Sequence, residues 1–122
     1  MKKDNSVYLD HIIICINRIN SYINNITYED FLKNEMLQDA VVRLIGIIGE
    51  ASVKISPETK DKYNRIAWAD IKGMRNRIIH DYFNVRIDVV WDTIKKELPK
   101  LKEQILAIIG EVKQQSSLDF ND

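Results

Sequence analysis

The chain has 122 residues, enough for one domain and too few for a second of ordinary size. With 45% hydrophobic and 30% charged residues, four Gly and two Pro, it is neither a disordered nor a fibrous chain. Eighteen Lys plus Arg balance eighteen Asp plus Glu, which argues against a coat-like, sequence-blind nucleic-acid binder and leaves open a locally basic surface.

Helical spacing runs along almost the whole chain, and strand signals are nearly absent. The first helix is predicted from about Asn5 to Asn24, because Ile12, Ile16, Ile19, Ile23 and Ile26 recur in steps of four and three. Within it, His11 lies among isoleucines and reads as a partly buried structural histidine. No second His, Cys or acidic cluster completes a metal site there, and none is expected elsewhere. Cys15, the single cysteine, can form no internal disulfide; its apolar neighbours point to a buried, inert thiol.

Thr27 is the expected N-cap of a short helix, with Asp30 at the third position where an acid suits the helix dipole. A helix starting near Asn34 carries the stripe Leu37, Val41, Leu44, Ile48, Ala51 and Ile55. Gly46 and Gly49 inside it read as small packing residues, not as a phosphate loop. Ser56 as N-cap and Pro57 as first helical residue restart the chain. After a turn around 63–67, a further helix directs Trp68, Ile71, Met74 and Ile78 inward, and 81–84 reads as a loop. From Ile87 the stripe returns through Trp91, Ile94, Leu98, Leu101, Ile105, Ile108 and Val112, with Pro99 predicting a kink or a break.

These elements predict an all-α, antiparallel bundle of four or five helices, with residues 1–115 as the domain and 116–122 as a frayed tail. The isoleucine stripes are wider than one small bundle needs. A homodimer interface is favoured over a thicker core, since the spacing is that of pairing helices. No run approaches the roughly 18 apolar residues of a membrane span, and no signal-like stretch opens the chain, so a cytoplasmic protein without membrane contacts is expected.

The chemistry concentrates near His80. On a continuing helix Asn76 and His80, four apart, would share a face, and the long side chain of Arg75 could swing to the same side. The helix C-terminus and Asp81 would both favour the protonated imidazole. A histidine poised near neutrality beside a permanent cation suits phosphodiester cleavage. Between Lys60 and Arg77 there are six basic and two acidic residues, so the neutral total conceals a +4 segment; Lys72 and Arg77 are its candidate RNA contacts. The plainer alternative is that Arg and His in a last turn merely compensate the helix dipole.

Arg75-Asn76-Arg77-Ile78-Ile79-His80-Asp81-Tyr82 resembles the Arg-x4-His-x-Tyr signature of the HepT-like HEPN ribonuclease toxins, which pair with minimal nucleotidyltransferase (MNT) antitoxins in type VII toxin–antitoxin systems. The resemblance extends from about Tyr8 to Leu101 through Tyr28-Glu29-Asp30-Phe31, Asp39-Ala40-Val41, Ile47-Ile48-Gly49-Glu50-Ala51, Val89-Val90-Trp91 and Glu97-Leu98-Pro99-Lys100-Leu101. It implies a dimeric all-helical fold with the motifs of both subunits in one composite cleft. It also implies metal-independent endonuclease action on messenger or transfer RNA, without a cofactor. Arg75 and His80 are then the catalytic pair, Asn76 and Asp81 support them, and Tyr82 is the tyrosine that the antitoxin modifies with AMP. Asp39 and Glu50 match family positions, and an acid pairing with Arg75 or Arg77 is the role expected of them. The segment Tyr63-Asn64-Arg65-Ile66-Ala67-Trp68 departs from the family, whose members often carry prolines around the tryptophan. A non-catalytic helical module that presents a substrate or scaffold to a nucleotidyltransferase is the alternative function.

Overall fold

The computed structural model describes residues 3–79 and 84–121, with side chains described over 5–79 and 84–114. The chain folds as α1 (Lys3–Tyr22), α2 (Tyr28–Leu32), α3 (Glu35–Val53), α4 (Pro57–Lys62), α5 (Trp68–Ile78), α6 (Ile87–Asp92), a π-helical turn (Thr93–Glu97) and α7 (Leu98–Asn121). The helix boundaries have local causes. Asn25, with φ 61°, takes the left-handed conformation that ends a helix and that Asn tolerates better than most residues; α1 stops at Tyr22, two residues before the predicted end. Thr27 and Asp30 form a reciprocal capping box at the start of α2. The Asn34 and Ser56 side chains accept from the N–H groups of Leu37 and Thr59, opening α3 and α4 where the sequence placed them.

Four long helical segments bury one core. α1 contributes Leu9, Ile12, Ile16, Ile19 and Ile23, and α3 contributes Val41, Leu44, Ile45, Ile48 and Ala51. From α5 come Ile71, Met74 and Ile78, and from α7 Leu98, Leu101, Ile105 and Ile108. Each fully buried Val, Leu, Ile or Met side chain among these stabilises the fold by roughly 1.5–3 kcal/mol. The neighbours run antiparallel, as their end-to-end contacts show. Asn5 at the start of α1 bonds Ser56 just beyond α3, Gly49 and Gly46 of α3 meet Ile71 and Arg75 of α5, and Arg77 near the end of α5 meets Glu97 just before α7.

Pro99 neither breaks nor ends the last helix. It has no N–H to offer the carbonyl of Lys95, four residues earlier, and its ring crowds that carbonyl. The turn before it widens instead: the Leu98 N–H reaches back five residues to the Thr93 carbonyl. Helix therefore continues from Ile87 to Asn121, through the residues 116–121 read from sequence as frayed. Cys15 is buried as expected, and desolvation pushes its thiol upward, partly offset by Arg18 and Arg43. His11 corrects the expectation of a partly buried histidine. It is exposed, its ring 6.0 Å edge-on from Tyr8, because it falls on the outer side of α1 between the buried Leu9 and Ile12.

Candidate active site

α3 presents two glycines, three residues apart, toward α5, and at one of them, Gly49, the α5 backbone packs closely. A Cβ at Gly49 would stand 3.3 Å from the Ile71 carbonyl oxygen and 3.5 Å from that of Lys72, so the backbone of α5 rests where a side chain would be. One turn earlier, a Cβ at Gly46 would stand 3.3 Å from Cδ and 3.7 Å from Nε of Arg75. Arg75 thus crosses α3 over Gly46. Its side chain is exposed and, among the described residues, makes no hydrogen bond or ion pair.

The two arginines of the motif part company. At about 100° per residue, Arg75 and Arg77 stand about 200° apart around α5. Lys72 shares the Arg75 flank toward α3, whereas Arg77 turns toward the last helix and meets Glu97 with both guanidinium nitrogens at 3.4 Å. The acid that meets Arg77 is Glu97, in place of the expected Asp39 or Glu50, neither of which pairs with Arg75 or Arg77 among the described residues. Arg77 and Glu97 also line a cleft of about 170 Å³ between α5 and α7, floored by Ile71, Met74 and Leu101.

The +4 segment is therefore not one patch. Lys60 reaches the Val53 carbonyl at 3.5 Å and Lys62 lies 5.5 Å from the centre of the Tyr63 ring, both on α4. Arg65 and Arg77 border the α5–α7 cleft, and only Lys72 and Arg75 lie on the α3 flank. The turn before α5 is built without prolines. The Trp68 indole N–H donates to the Tyr63 carbonyl at 3.2 Å, and the Tyr63 hydroxyl donates to the Glu111 carboxylate on α7. Burial, then that carboxylate, push the Tyr63 phenol up to about 12.

His80, Asp81, Tyr82 and Phe83 lie outside the described residues, and with them the expected loop. What the structure describes is the base of the segment they belong to. α5 ends at Ile78, Ile79 is already extended (φ −104°, ψ 114°), and Ile79 pairs with Val85 as an isolated antiparallel bridge. The Arg86 N–H donates to the Ile78 carbonyl at 2.7 Å. α5 thus ends two residues before His80, and Asn76, near that end, is exposed. Trp91 packs against Phe31 and Tyr28 with ring centres 5.2 and 5.7 Å apart, and Lys95 Nζ lies 5.4 Å from its ring centre.

Two features escaped the sequence reading. Gly46 was legible as a packing residue, but nothing in its neighbourhood links it to Arg75, 29 positions away. Glu97 lies twenty residues from Arg77, and only the fold brings them together. Among the described residues no group of three His, Cys, Asp or Glu could hold a metal ion, and no helix is long and apolar enough to cross a membrane.

Residues 12–108 match the model of a family described as ribonuclease HepT-like. The chain is 41% identical over 121 residues to a Methanocaldococcus jannaschii protein named "Gamma-glutamylcyclotransferase and putative RNase", covering 99% of this chain and 54% of that one. It therefore spans about half the length of that relative. A Caldanaerobacter subterraneus protein named "Putative RNase" is 38% identical over 106 residues, covering 87% of this chain and 95% of its own. The "Probable ribonuclease HepT" of Thermococcus cleftensis is 39% identical over 102 residues, covering 84% and 93%. No solved structure matches.

Proposed function

The chain belongs to the HepT-like ribonuclease family and carries its all-α HEPN bundle, and from that premise we propose that it is a metal-independent RNA endonuclease whose catalytic pair is Arg75 and His80. The observation that carries this reading is the Arg75 side chain: exposed, unpaired among the described residues, and seated over Gly46 on the flank it shares with Lys72. A guanidinium of that kind can meet a phosphate without first giving up a carboxylate. Arg77 is already engaged by Glu97, so its contribution to RNA is a contact at the edge of the site and not part of the reaction.

In the proposed reaction the imidazole of His80 takes the proton from a ribose 2′-hydroxyl or gives one to the leaving 5′-oxygen. Arg75 stabilises the charge that gathers on the phosphorane-like transition state. Asn76 and Asp81 orient these groups. A second copy of the chain brings its own pair to a composite cleft, so that one histidine serves as base and the other as acid. Val7 and Ile14, seven residues apart on α1, are 44% and 49% exposed and supply apolar surface that pairing could cover. The chain acts as the toxin of a pair whose antitoxin is an MNT-type nucleotidyltransferase. Transfer of AMP to Tyr82, two residues beyond His80, adds bulk and negative charge where RNA must enter.

The test is cleavage of total messenger and transfer RNA by the purified protein in the presence of a chelator. His80→Ala should lose a factor of about 10²–10⁴, and Arg75→Ala should lose a comparable factor. A parent that cuts no RNA and does not inhibit growth would instead mark the chain as a non-catalytic module presented to a nucleotidyltransferase. Coexpression with an MNT-type nucleotidyltransferase antitoxin should raise the intact mass by whole AMP units, and Tyr82→Phe should abolish the increase.

A further inference from the structure

We propose that Gly46 is a positioning residue for the ribonuclease reaction: its missing side chain leaves the seat on α3 across which Arg75 reaches the scissile phosphate. The inference rests on the assignment of Arg75 in the preceding section and goes beyond it by naming what holds that side chain in place.

Three observations converge on Gly46. A Cβ there would lie 3.3 Å from Arg75 Cδ, closer than side chains ordinarily tolerate, and 3.7 Å from Nε, the atom that carries the guanidinium. The backbone gives Gly46 no other reason to be glycine, since no glycine of the described chain has a positive φ and Gly46 lies inside α3, where glycine is a poor helix former. Finally, Arg75 makes no hydrogen bond or ion pair among the described residues, so the surface of α3 beneath it is what limits its rotamers.

Gly49, one turn away, has a different task. Its Cβ would meet the backbone of α5, which cannot swing aside, whereas the atoms facing Gly46 belong to a flexible side chain. The two glycines thus separate a packing role from a positioning role. Filling the Gly46 seat moves Arg75 and leaves the bundle intact; filling the space at Gly49 strains the α3–α5 contact itself.

The experiment uses the full-length chain and a graded series, Gly46→Ala and Gly46→Leu, with RNA cleavage kinetics, melting temperature and the Arg75 Nε–H NMR resonance, assigned by its loss in Arg75→Lys. The expected result is a kcat that falls several-fold in Gly46→Ala and up to about a hundredfold in Gly46→Leu, the scale on which a displacement of about 1 Å acts. KM should change little, the melting temperature should not fall, and the Arg75 resonance should shift in both variants. Parental kcat in Gly46→Leu together with an inactive Arg75→Ala overturns the seat while leaving the catalytic assignment standing. A fully active Arg75→Ala overturns the assignment itself. Should Gly46→Leu fold poorly, Gly46→Ala decides, and an unmoved Arg75 resonance there refutes the proposal.

Discussion

Asn5→Ala tests the best-defined polar junction in the molecule. Asn5 is only 4% exposed and ties the first turn of α1 to the start of α4. Its amide donates to Ser56 Oγ at 3.0 Å and Thr59 Oγ1 at 3.1 Å, and its carbonyl oxygen accepts from the Ser56 N–H at 2.9 Å. Removing the side chain deletes all three bonds, but the damage is unequal. The Ser56 and Thr59 hydroxyls still meet each other at 3.0 Å, and Ser56 still caps the Thr59 N–H. The orphan is the part-buried Ser56 N–H, and a donor left unsatisfied out of water's reach costs about 1–3 kcal/mol. With the two lost amide bonds the expected destabilisation is about 2–3 kcal/mol, a large part of an ordinary domain's stability. That corresponds to a melting temperature lowered by roughly 10 °C in a chain of this size. Urea denaturation should show the loss as a lower midpoint with an unchanged slope. Asn5→Asp keeps the acceptor for the Ser56 N–H, and both hydroxyls can rotate to donate to it, so it should cost less than half as much near neutral pH. The reasoning is refuted if Asn5→Ala stays within about 0.5 kcal/mol of the parent, or if Asp is as damaging as Ala.

The glycines of α3 make an ordered pair: Ala gains about 1 kcal/mol of helix propensity at either position, but at Gly49 it must be accommodated against backbone, which costs about 1–3 kcal/mol. Gly49→Ala should therefore melt below Gly46→Ala, by several degrees in a calorimetric scan, and the reverse order would contradict the packing described for α5. Tyr63→Phe probes the link to Glu111 through pH. The folded phenol ionises near 12 against an ordinary value of 10, so its stabilising contribution is complete below pH 10 and is lost as the pH rises toward 12. The stability advantage of the parent over Tyr63→Phe should accordingly shrink across that interval, and a difference that stays constant from pH 9 to 12 would exclude the bond. Arg77→Ala should change stability by less than about 1 kcal/mol, because both it and Glu97 are nearly half exposed. In the same variant the salt dependence of RNA binding should weaken by about one charge, with kcat nearly unchanged; a loss as large as that of Arg75→Ala would place Arg77 in the reaction.

Much of the fold was legible because its determinants are local. Thr27 with Asp30, Asn34, and Ser56 with Pro57 each act within three residues, and each starts a helix where its chemistry predicts. The stripes Ile12–Ile23 and Val41–Ile55 are periodic at helical spacing, and the fold buries them as periodicity requires. Where local rules compete, the reading was less complete. Pro99 forbids one hydrogen bond, but whether a helix breaks, kinks or widens depends on what its neighbours bury. Here Ile94, Leu98 and Leu101 all remain in the core, which a break would have exposed, and the π-turn preserves them. His11 was misjudged because an isoleucine-rich neighbourhood in sequence is not one in space: successive helical residues point about 100° apart.

The site divides along the same line. Arg75, Asn76 and His80 stand out in the sequence as a cation, an amide and a titratable group at a recognisable spacing, because chemistry resides in residue types. Their company does not reside there. Glu97 holding Arg77, Gly46 seating Arg75, and the division of a +4 segment among α4, the α5–α7 cleft and the α3 flank all join residues far apart in the chain. The sequence by itself determined the all-helical architecture, the caps and the core stripes, and it singled out the residues proposed to react, since these follow from hydrophobic period and side-chain chemistry. Only the tertiary structure decided which arginine of the motif an acid holds and which stays unpaired among the described residues, because that depends on the direction each side chain takes from α5 and on what the opposing helix places beneath it.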